Sequence, residues 1–282
     1  MTERMIRANG VELCTESFGD PAHPAILLVM GLGASMLWWD EQFCRMLADG
    51  DRFVIRYDHR DTGRSHTAQP GRPDYDGDVL VDDAARVMDA YDRPAAHVVG
   101  ASAGGGMAQL LALDHPDRVL SLVLISTSPA TPGDRDLPPP TDEFGHFAAA
   151  VEVDWTDPES VEEYLVDYAR VLAGDRRPFA EEAARELIRR DVERARDIAA
   201  LQNHDVIPDG QRSRGPVSSI STPTLVVHGT ADPLFPVEHG QGLAAEIPGA
   251  TLLVLDGAGH GVDRADWAII VPAIRDHTSA ST

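Results

Sequence analysis

His97-Val98-Val99-Gly100-Ala101-Ser102-Ala103-Gly104 is an apolar run that closes on a serine with glycines two positions before and two after it, and a small-residue helical segment follows. The pattern fits a strand that turns sharply into a helix with Ser102 at the turn. A serine held there has a strained backbone, and the positions two before and two after must be nearly free of side chain to avoid collision. Gly100 and Gly104 meet that demand. The turn lifts the Ser102 hydroxyl out of the sheet and sets the Ala103 amide at a helix N-terminus, where it can face a developing oxyanion.

Two later segments repeat the strand-then-loop pattern. Thr224-Leu225-Val226-Val227-His228 empties into Gly229-Thr230-Ala231-Asp232-Pro233, and Thr251-Leu252-Leu253-Val254-Leu255 empties into Asp256-Gly257-Ala258-Gly259-His260. Nucleophile, acid and histidine thus follow the order Ser102, Asp232, His260, each on a loop at the carboxyl end of a strand. That order and placement belong to the α/β-hydrolase sheet and predict a serine hydrolase. In the predicted triad Ser102 attacks a carbonyl, His260 carries the proton and Asp232 orients the imidazole. Asp256, four residues before His260, is expected to sit at the strand end without facing the far ring nitrogen. His228, His97, His59 and His115 read as structural.

The same chemistry needs amide donors for the oxyanion. Gly31-Leu32-Gly33 leaves the apolar run Ile26 to Met30, and its glycines let backbone approach a reacting carbonyl. Leu32 N–H and Ala103 N–H are the two predicted donors. There is no H-E-x-x-H, no H-x-H-x-D and no closely spaced His/Cys pair, so neither a metal nor another cofactor is expected.

Composition narrows the partners. The 282 residues include 24 Lys+Arg against 46 Asp+Glu, a formal net charge of -22 that opposes phosphate backbones and anionic lipid. The expected partner is a small-molecule ester, with no nucleic acid and no membrane, and the chain acts as a monomer or homo-oligomer. Lysine is absent, which excludes Walker A loops, Schiff-base chemistry and Ser-Lys dyads. Cys14 and Cys44 read as buried thiols rather than a disulfide. Met1 to Ile6 has no signal-peptide core and no apolar stretch approaches the roughly 20 residues of a membrane span, so a cytoplasmic location is expected.

Along the chain, Asn9-Gly10 predicts a hairpin between Met5 to Ala8 and Val11 to Phe18. Strands at Ile26 to Met30, Phe53 to Tyr57, His97 to Val99 and Val119 to Ile125 alternate with helices predicted over Ser35 to Leu47, Asp78 to Tyr91 and Ala103 to Asp114. Such alternation predicts an α/β fold with a mostly parallel sheet covered by helices on both faces. After Ser126 the alternation stops. Thr127 to Pro140 holds five prolines and reads as an extended connector; Pro158 to Leu172 and Ala180 to Leu201 read as helices. Residues 127–215 are therefore expected to form a helical cap on a core made of residues 1–126 and 216–282. The cap aromatics Phe144, Phe147, Trp155, Tyr164 and Tyr168 are candidates for an apolar substrate pocket, and charge runs such as Arg189-Arg190-Asp191 are expected on a solvated face.

The whole chain resembles α/β-hydrolases with a helical cap, notably at Arg56-Tyr57-Asp58-His59-Arg60-Asp61-Thr62-Gly63-Arg64-Ser65. That segment, with Leu28-Val29-Met30-Gly31, Ala96-His97-Val98-Val99-Gly100 and Leu113-Asp114-His115, is similar to the methylesterases of anthracycline biosynthesis. The resemblance implies a Ser102-Asp232-His260 triad that cleaves the methyl ester of a bulky, polyketide-like acid. Perhydrolysis, lactone opening and carbon–carbon hydrolysis by the same triad stay open at this point, as does a catalytically silent binding module. The chain departs from its relatives at Met30, where many have histidine, at Ala103, where a bulky residue such as methionine is common, and in the triple glycine Gly104-Gly105-Gly106. A wider pocket beside Ser102 and an altered acyl preference are expected.

Overall fold

The computed structural model describes residues 3–133, 135–150 and 152–279. Met1 and Thr2 of the chain start, Asp134 of the connector, residue 151 of the expected cap and residues 280–282 of the expected core lie outside the described residues.

Eight strands form one sheet in the order β1-β2-β4-β3-β5-β6-β7-β8. β1 (Arg4–Ala8) and β2 (Val11–Phe18) make the expected hairpin, with Asn9 and Gly10 both at positive φ. β2 also runs antiparallel to β4 (Phe53–Tyr57). All further pairings, through β3 (Ala25–Val29), β5 (Ala96–Ala101), β6 (Val119–Ile125), β7 (Thr224–Gly229) and β8 (Thr251–Leu255), are parallel. The central strands β3, β4, β5 and β7 are buried at every position, as continuous apolar runs require when both sheet faces are covered. β8 is the edge strand opposite β1, and there Val254 is exposed.

Alternate side chains of each strand feed two cores. On one face α2 (Gly77–Ala90), α3 (Ala103–Asp114) and α7 (Glu238–Glu246) pack Leu80, Val81, Leu111 and Leu243 against Leu27, Val29, Val98 and Leu124. On the other, α1 (Glu41–Ala48) and α8 (Trp267–Ser279) pack Phe43, Leu47, Trp267 and Ile270 against Ile26, Leu28, Val99 and Val123. Both cysteines are buried and free. Among the described residues no helix is long and apolar enough to cross a membrane.

The chain leaves the sheet after β6 and returns at β7, and the excursion carries α4 (Asp142–Ala150), α5 (Pro158–Leu172) and α6 (Glu181–Arg194). Asp157 caps α5 by accepting from the Glu159 amide at 3.1 Å, and Pro158 supplies the preset φ of a first helical residue. A small separate core of Val161, Leu165, Val166 and Ile188 holds α5 to α6.

Three sequence expectations are corrected. The helix expected over Ser35 to Leu47 is a 3-10 turn at Met36–Trp38 followed by α1, because the Asp40 side chain caps the Gln42 amide and starts a new helix. The helix expected over Ala180 to Leu201 stops at Arg194. There the Arg196 amide turns away to the Gly63 carbonyl at 2.7 Å, and a 3-10 stretch, Ile198–Asp205, follows under an Asp197 cap. Finally, Asp191 of the supposedly solvated charge run is 5% exposed and accepts from Trp38 Nε1 at 2.9 Å. Burial holds its carboxyl above the usual carboxylate range.

The far end of the excursion is tied to the core by charge. Arg214 reaches Asp114 Oδ2 at 2.5 Å and Asp78 Oδ1 at 2.6 Å, while Arg212 pairs with Asp114 at 3.1 Å. Burial alone would raise the Asp114 pKa, but Arg214 and Arg212 overcome it and hold the carboxyl below its ordinary value. A depressed carboxylate adds stability above its unfolded pKa and loses it as pH falls through the folded one. Asp114→Asn is therefore expected to cost about 2 kcal/mol at pH 7. Urea midpoints of variant and wild type should converge as pH drops below about 4, the unfolded carboxylate value; a constant gap would contradict the assignment.

Candidate active site

Ser102 stands between β5 and α3 with φ 53° and ψ -127°, a conformation that a non-glycine residue adopts only where its surroundings enforce it. The enforcement is visible. Ser102 N donates to the Ile125 carbonyl at 2.9 Å, and its own carbonyl accepts from Gly105 N at 2.9 Å and Thr127 Oγ1 at 2.7 Å. A Cβ on Gly100 would strike the Gly104 carbonyl, and one on Gly104 would strike the carbonyls of Val29 and Met30. The two glycines permit backbone to touch backbone.

Asp232 follows β7 in a tight turn, where Oδ1 accepts the amides of Leu234 at 3.0 Å and Phe235 at 2.8 Å. Its Oδ2 lies 2.8 Å from His260 Nδ1, and the carboxylate side chain is fully buried. Asp256 instead points to Thr230 Oγ1 at 3.4 Å. The His260 loop hangs from two points, His260 N on the Leu172 carbonyl at 2.7 Å and Gly261 N on Ser126 Oγ at 3.1 Å. Since Ser102 binds Ile125 and Gly261 binds Ser126, neighbouring residues at the β6 exit hold both the serine and histidine loops. With Nδ1 committed to Asp232, Nε2 is the free end of the His260 ring. The Ser102 hydroxyl takes part in no hydrogen bond among the described residues, so the structure joins histidine to acid but does not close the serine–histidine leg.

Ala103 opens α3, so its amide has no intrahelical partner. The half-buried Leu32 lies in the turn after β3, beside Gly31, where a Cβ would come 3.0 Å from Ser102 Cβ. Gly31, the residue before Leu32, thus lies against Ser102. Among the described residues no group of three or more His, Cys, Asp or Glu is arranged to hold a metal ion.

Several neighbours were not legible in the sequence. His228, read as structural, places Nε2 3.5 Å from Asp232 Oδ2 and 2.7 Å from the Phe235 carbonyl. Burial lowers its pKa, so at neutral pH it stands beside the acid as an uncharged donor. The Phe235 ring lies 5.7 Å from the His260 ring. His204, from the 3-10 stretch after α6, accepts the Gly33 amide at 2.7 Å. Only position relative to Asp232 hinted at Phe235, and nothing local marks the two histidines.

Three segments of the excursion thus touch three site loops: Thr141 N on the Pro233 carbonyl at 2.8 Å, Leu172 on His260, and His204 on Gly33. The five candidate aromatics form one cluster within the excursion. Tyr168 stacks on Tyr164 at 6.0 Å and on Phe147 at 6.0 Å, Phe144 lies 6.2 Å from Tyr168, and Trp155 meets Tyr164 edge-on at 5.7 Å. Trp155 and Tyr164 also pack on the small core between α5 and α6. Burial, then Tyr164 and Asp205, push the Tyr168 phenol up to about 12.

The fold and this arrangement agree with a family match over residues 24–262 to the alpha/beta hydrolase fold, and the chain belongs to that family. Within it the chain is similar over its whole length to methylesterases. It is 35% identical to Rhodomycin D methylesterase DauP of Streptomyces sp. (strain C5) and 34% identical to Rhodomycin D methylesterase DnrP of Streptomyces peucetius, each alignment covering 100% of both proteins. The resemblance drawn from sequence motifs is borne out. Among solved structures, esterase RhEst1 from Rhodococcus sp. ECU1013 superposes with a TM-score of 0.79 at 23% identity, covering 100% of both chains.

The glycines after Ser102 differ in what surrounds them. Gly104 meets backbone carbonyls, whereas a Cβ on Gly106 would find only Ala130 Cβ at 3.8 Å. Gly104→Ala is expected to cost about 3 kcal/mol or prevent folding. Gly106→Ala should stabilise by about 0.5–1 kcal/mol through helix propensity. Thermal denaturation of the two variants checks the contrast, and equal effects would contradict it.

Proposed function

We propose that the protein is a carboxylic ester hydrolase that works through an acyl-enzyme, with Ser102 as nucleophile, His260 as general base and acid, and Asp232 as the orienting carboxylate. The observation that carries the reading is the 2.8 Å bond from His260 Nδ1 to a buried Asp232 whose other oxygen is held by two amides. That commitment puts the ring proton on Nδ1 and leaves the Nε2 lone pair for the serine proton.

Ser102 Oγ attacks the ester carbonyl carbon as its proton passes to His260 Nε2. The carbonyl π pair moves onto oxygen, and the Leu32 and Ala103 amides stabilise it, each donor being worth about 3 kcal/mol in a dry site. Asp232 stabilises the imidazolium without taking its proton. When the oxyanion collapses, the carbon–oxygen bond to the alcohol breaks and His260 returns the proton to the leaving alkoxide. Water then attacks the acyl-serine by the same steps, releasing acid and free enzyme.

The substrate proposed is the methyl ester of a bulky, flat aromatic acid of polyketide type, whose methoxy group leaves as methanol while the acyl group stays on Ser102. Similarity to two Rhodomycin D methylesterases supports this choice, and the ring cluster of the excursion is the surface proposed to receive the planar acid, because aromatic faces suit a flat ligand. The helices between β6 and β7 serve here as the cap over the site.

Ser102→Ala should leave the melting temperature near that of the wild type and lower kcat on p-nitrophenyl acetate by ~10³ or more. The wild type should carry a fluorophosphonate adduct at Ser102; turnover retained without that adduct would sink the reading. Asp232→Asn should reduce kcat by about 10⁴-fold while Asp256→Asn does far less, and the opposite ranking would show that the acid is misassigned. For specificity, Phe144→Ala or Tyr168→Ala should shift relative kcat/KM between a bulky aromatic methyl ester and methyl acetate by about tenfold. Equal losses on both esters together with a lower Tm would mean that these rings only hold the helices together.

A further inference from the structure

The Leu32 amide sits between two glycines, Gly31 and Gly33, the latter at φ 74°. A donor so flanked has no rigidity of its own, yet a donor stabilises a transition state only if it is already aimed when charge develops. The aim is set from behind. On one side the Met30 carbonyl accepts from His59 Nε2 at 2.8 Å; on the other the Gly33 amide donates to His204 Nδ1 at 2.7 Å. The two peptide planes adjoining the one that bears the Leu32 N–H are each held by an imidazole.

The tautomer of His204 follows from its partners. Nε2 lies 2.8 Å from the Arg60 carbonyl, which can only accept, so the proton is on Nε2 and the lone pair on Nδ1 faces Gly33. Burial, then the neighbouring His59, pushes the His204 pKa down to about 4, which keeps that lone pair available at neutral pH. With backbone on both ends and 6% exposure, the ring cannot flip without abandoning a bond.

We infer that His204 is a positioning residue for the oxyanion hole, fixing the Leu32–Gly33 peptide plane by accepting the Gly33 amide and so aiming the Leu32 N–H at the reacting carbonyl. It touches no reacting atom. Because His204 belongs to the excursion between β6 and β7, seating of that segment and readiness of the hole become one event. The inference rests on the ester-hydrolase reading above.

Two substitutions each keep one half of the ring's bonding. His204→Asn places an amide oxygen near the position of Nδ1 and can still accept from Gly33. His204→Gln reaches the position of Nε2 and can still donate to the Arg60 carbonyl, leaving the Gly33 amide unpaired. With p-nitrophenyl acetate, His204→Gln should lower kcat by about 10²-fold, the effect of a small misplacement of a catalytic group. KM should stay within about twofold, since a donor used mainly in the transition state is lost. His204→Asn should keep kcat within about fivefold of the wild type, even where both variants lower Tm alike. Equal losses of kcat in the two variants, or wild-type kcat in His204→Gln, would overturn the inference while leaving the hydrolase reading intact. A wild type that neither turns over the ester nor labels at Ser102 would overturn both.

Discussion

The site depends on one close approach, the N-terminus of α3 against the exit of β3. Gly104 lies on the Val29 and Met30 carbonyls with no room for a side chain, and Gly31 faces Ser102 across the gap. This contact sets the start of α3 and the glycine turn that holds Leu32, which come from different strand exits, against one another at Ser102. The parallel register makes it possible. Val29 pairs with Gly100, Ala101 with Ile125, Ile125 with Val227 and Gly229 with Leu255, so neighbouring strands stop at nearly the same level and their loops share one edge.

On that edge Asp232 and His260 are held in different ways. Asp232 is fixed by its own turn, with two amides on one oxygen and His228 beside the other, so a buried charge is met by several donors rather than by one. His260 has no such local support. Its loop hangs on the Leu172 carbonyl and Ser126 Oγ, both supplied by other parts of the chain. The geometry of His260 therefore relies on how the α5 end is seated, while that of Asp232 is set within its own turn.

This division explains what was legible in the sequence. Ser102, Asp232 and His260 stood out as candidates because each follows an apolar strand and sits in a short local motif whose backbone demands are visible in the residues themselves. The helix breaks at Asp40 and Arg194 could be read only in part, since Asp40 is a cap in its own right but the turn at Arg196 depends on the distant Gly63 carbonyl. His204 and Asp191 could not be read at all. Their partners, Gly33 and Trp38, are 171 and 153 residues away, and a histidine or aspartate on a polar helical segment looks alike in sequence whether it faces water or a buried amide. The aromatic cluster was visible as composition, but which rings pack the helices and which face the site is a matter of tertiary placement.

The excursion meets the core through apolar packing at Trp38, which lies against both its small cluster and one core of the sheet, and at Ile207, and also through polar contacts. Its own small cluster of Val161, Leu165, Val166 and Ile188 is separate from the two cores of the sheet. Its polar anchors are the Asp191 bond to Trp38, the 2.8 Å pair of Arg194 with the buried Asp58, and the paired carboxylates around Arg214. Buried pairs add little net stability, because desolvation offsets most of the attraction, but displacing one leaves an uncompensated charge and costs several kcal/mol. Such contacts discriminate strongly between a correct and a shifted seat while contributing modestly to the depth of the well. All the cations are arginines, whose planar, always-charged groups suit two-point pairing with carboxylates in tight sites better than lysine would. A segment that must set the Thr141 amide, the Leu172 carbonyl and the His204 ring against three separate loops needs that discrimination. A broad apolar interface, tolerant of small slips, would bind it more firmly and place it less well.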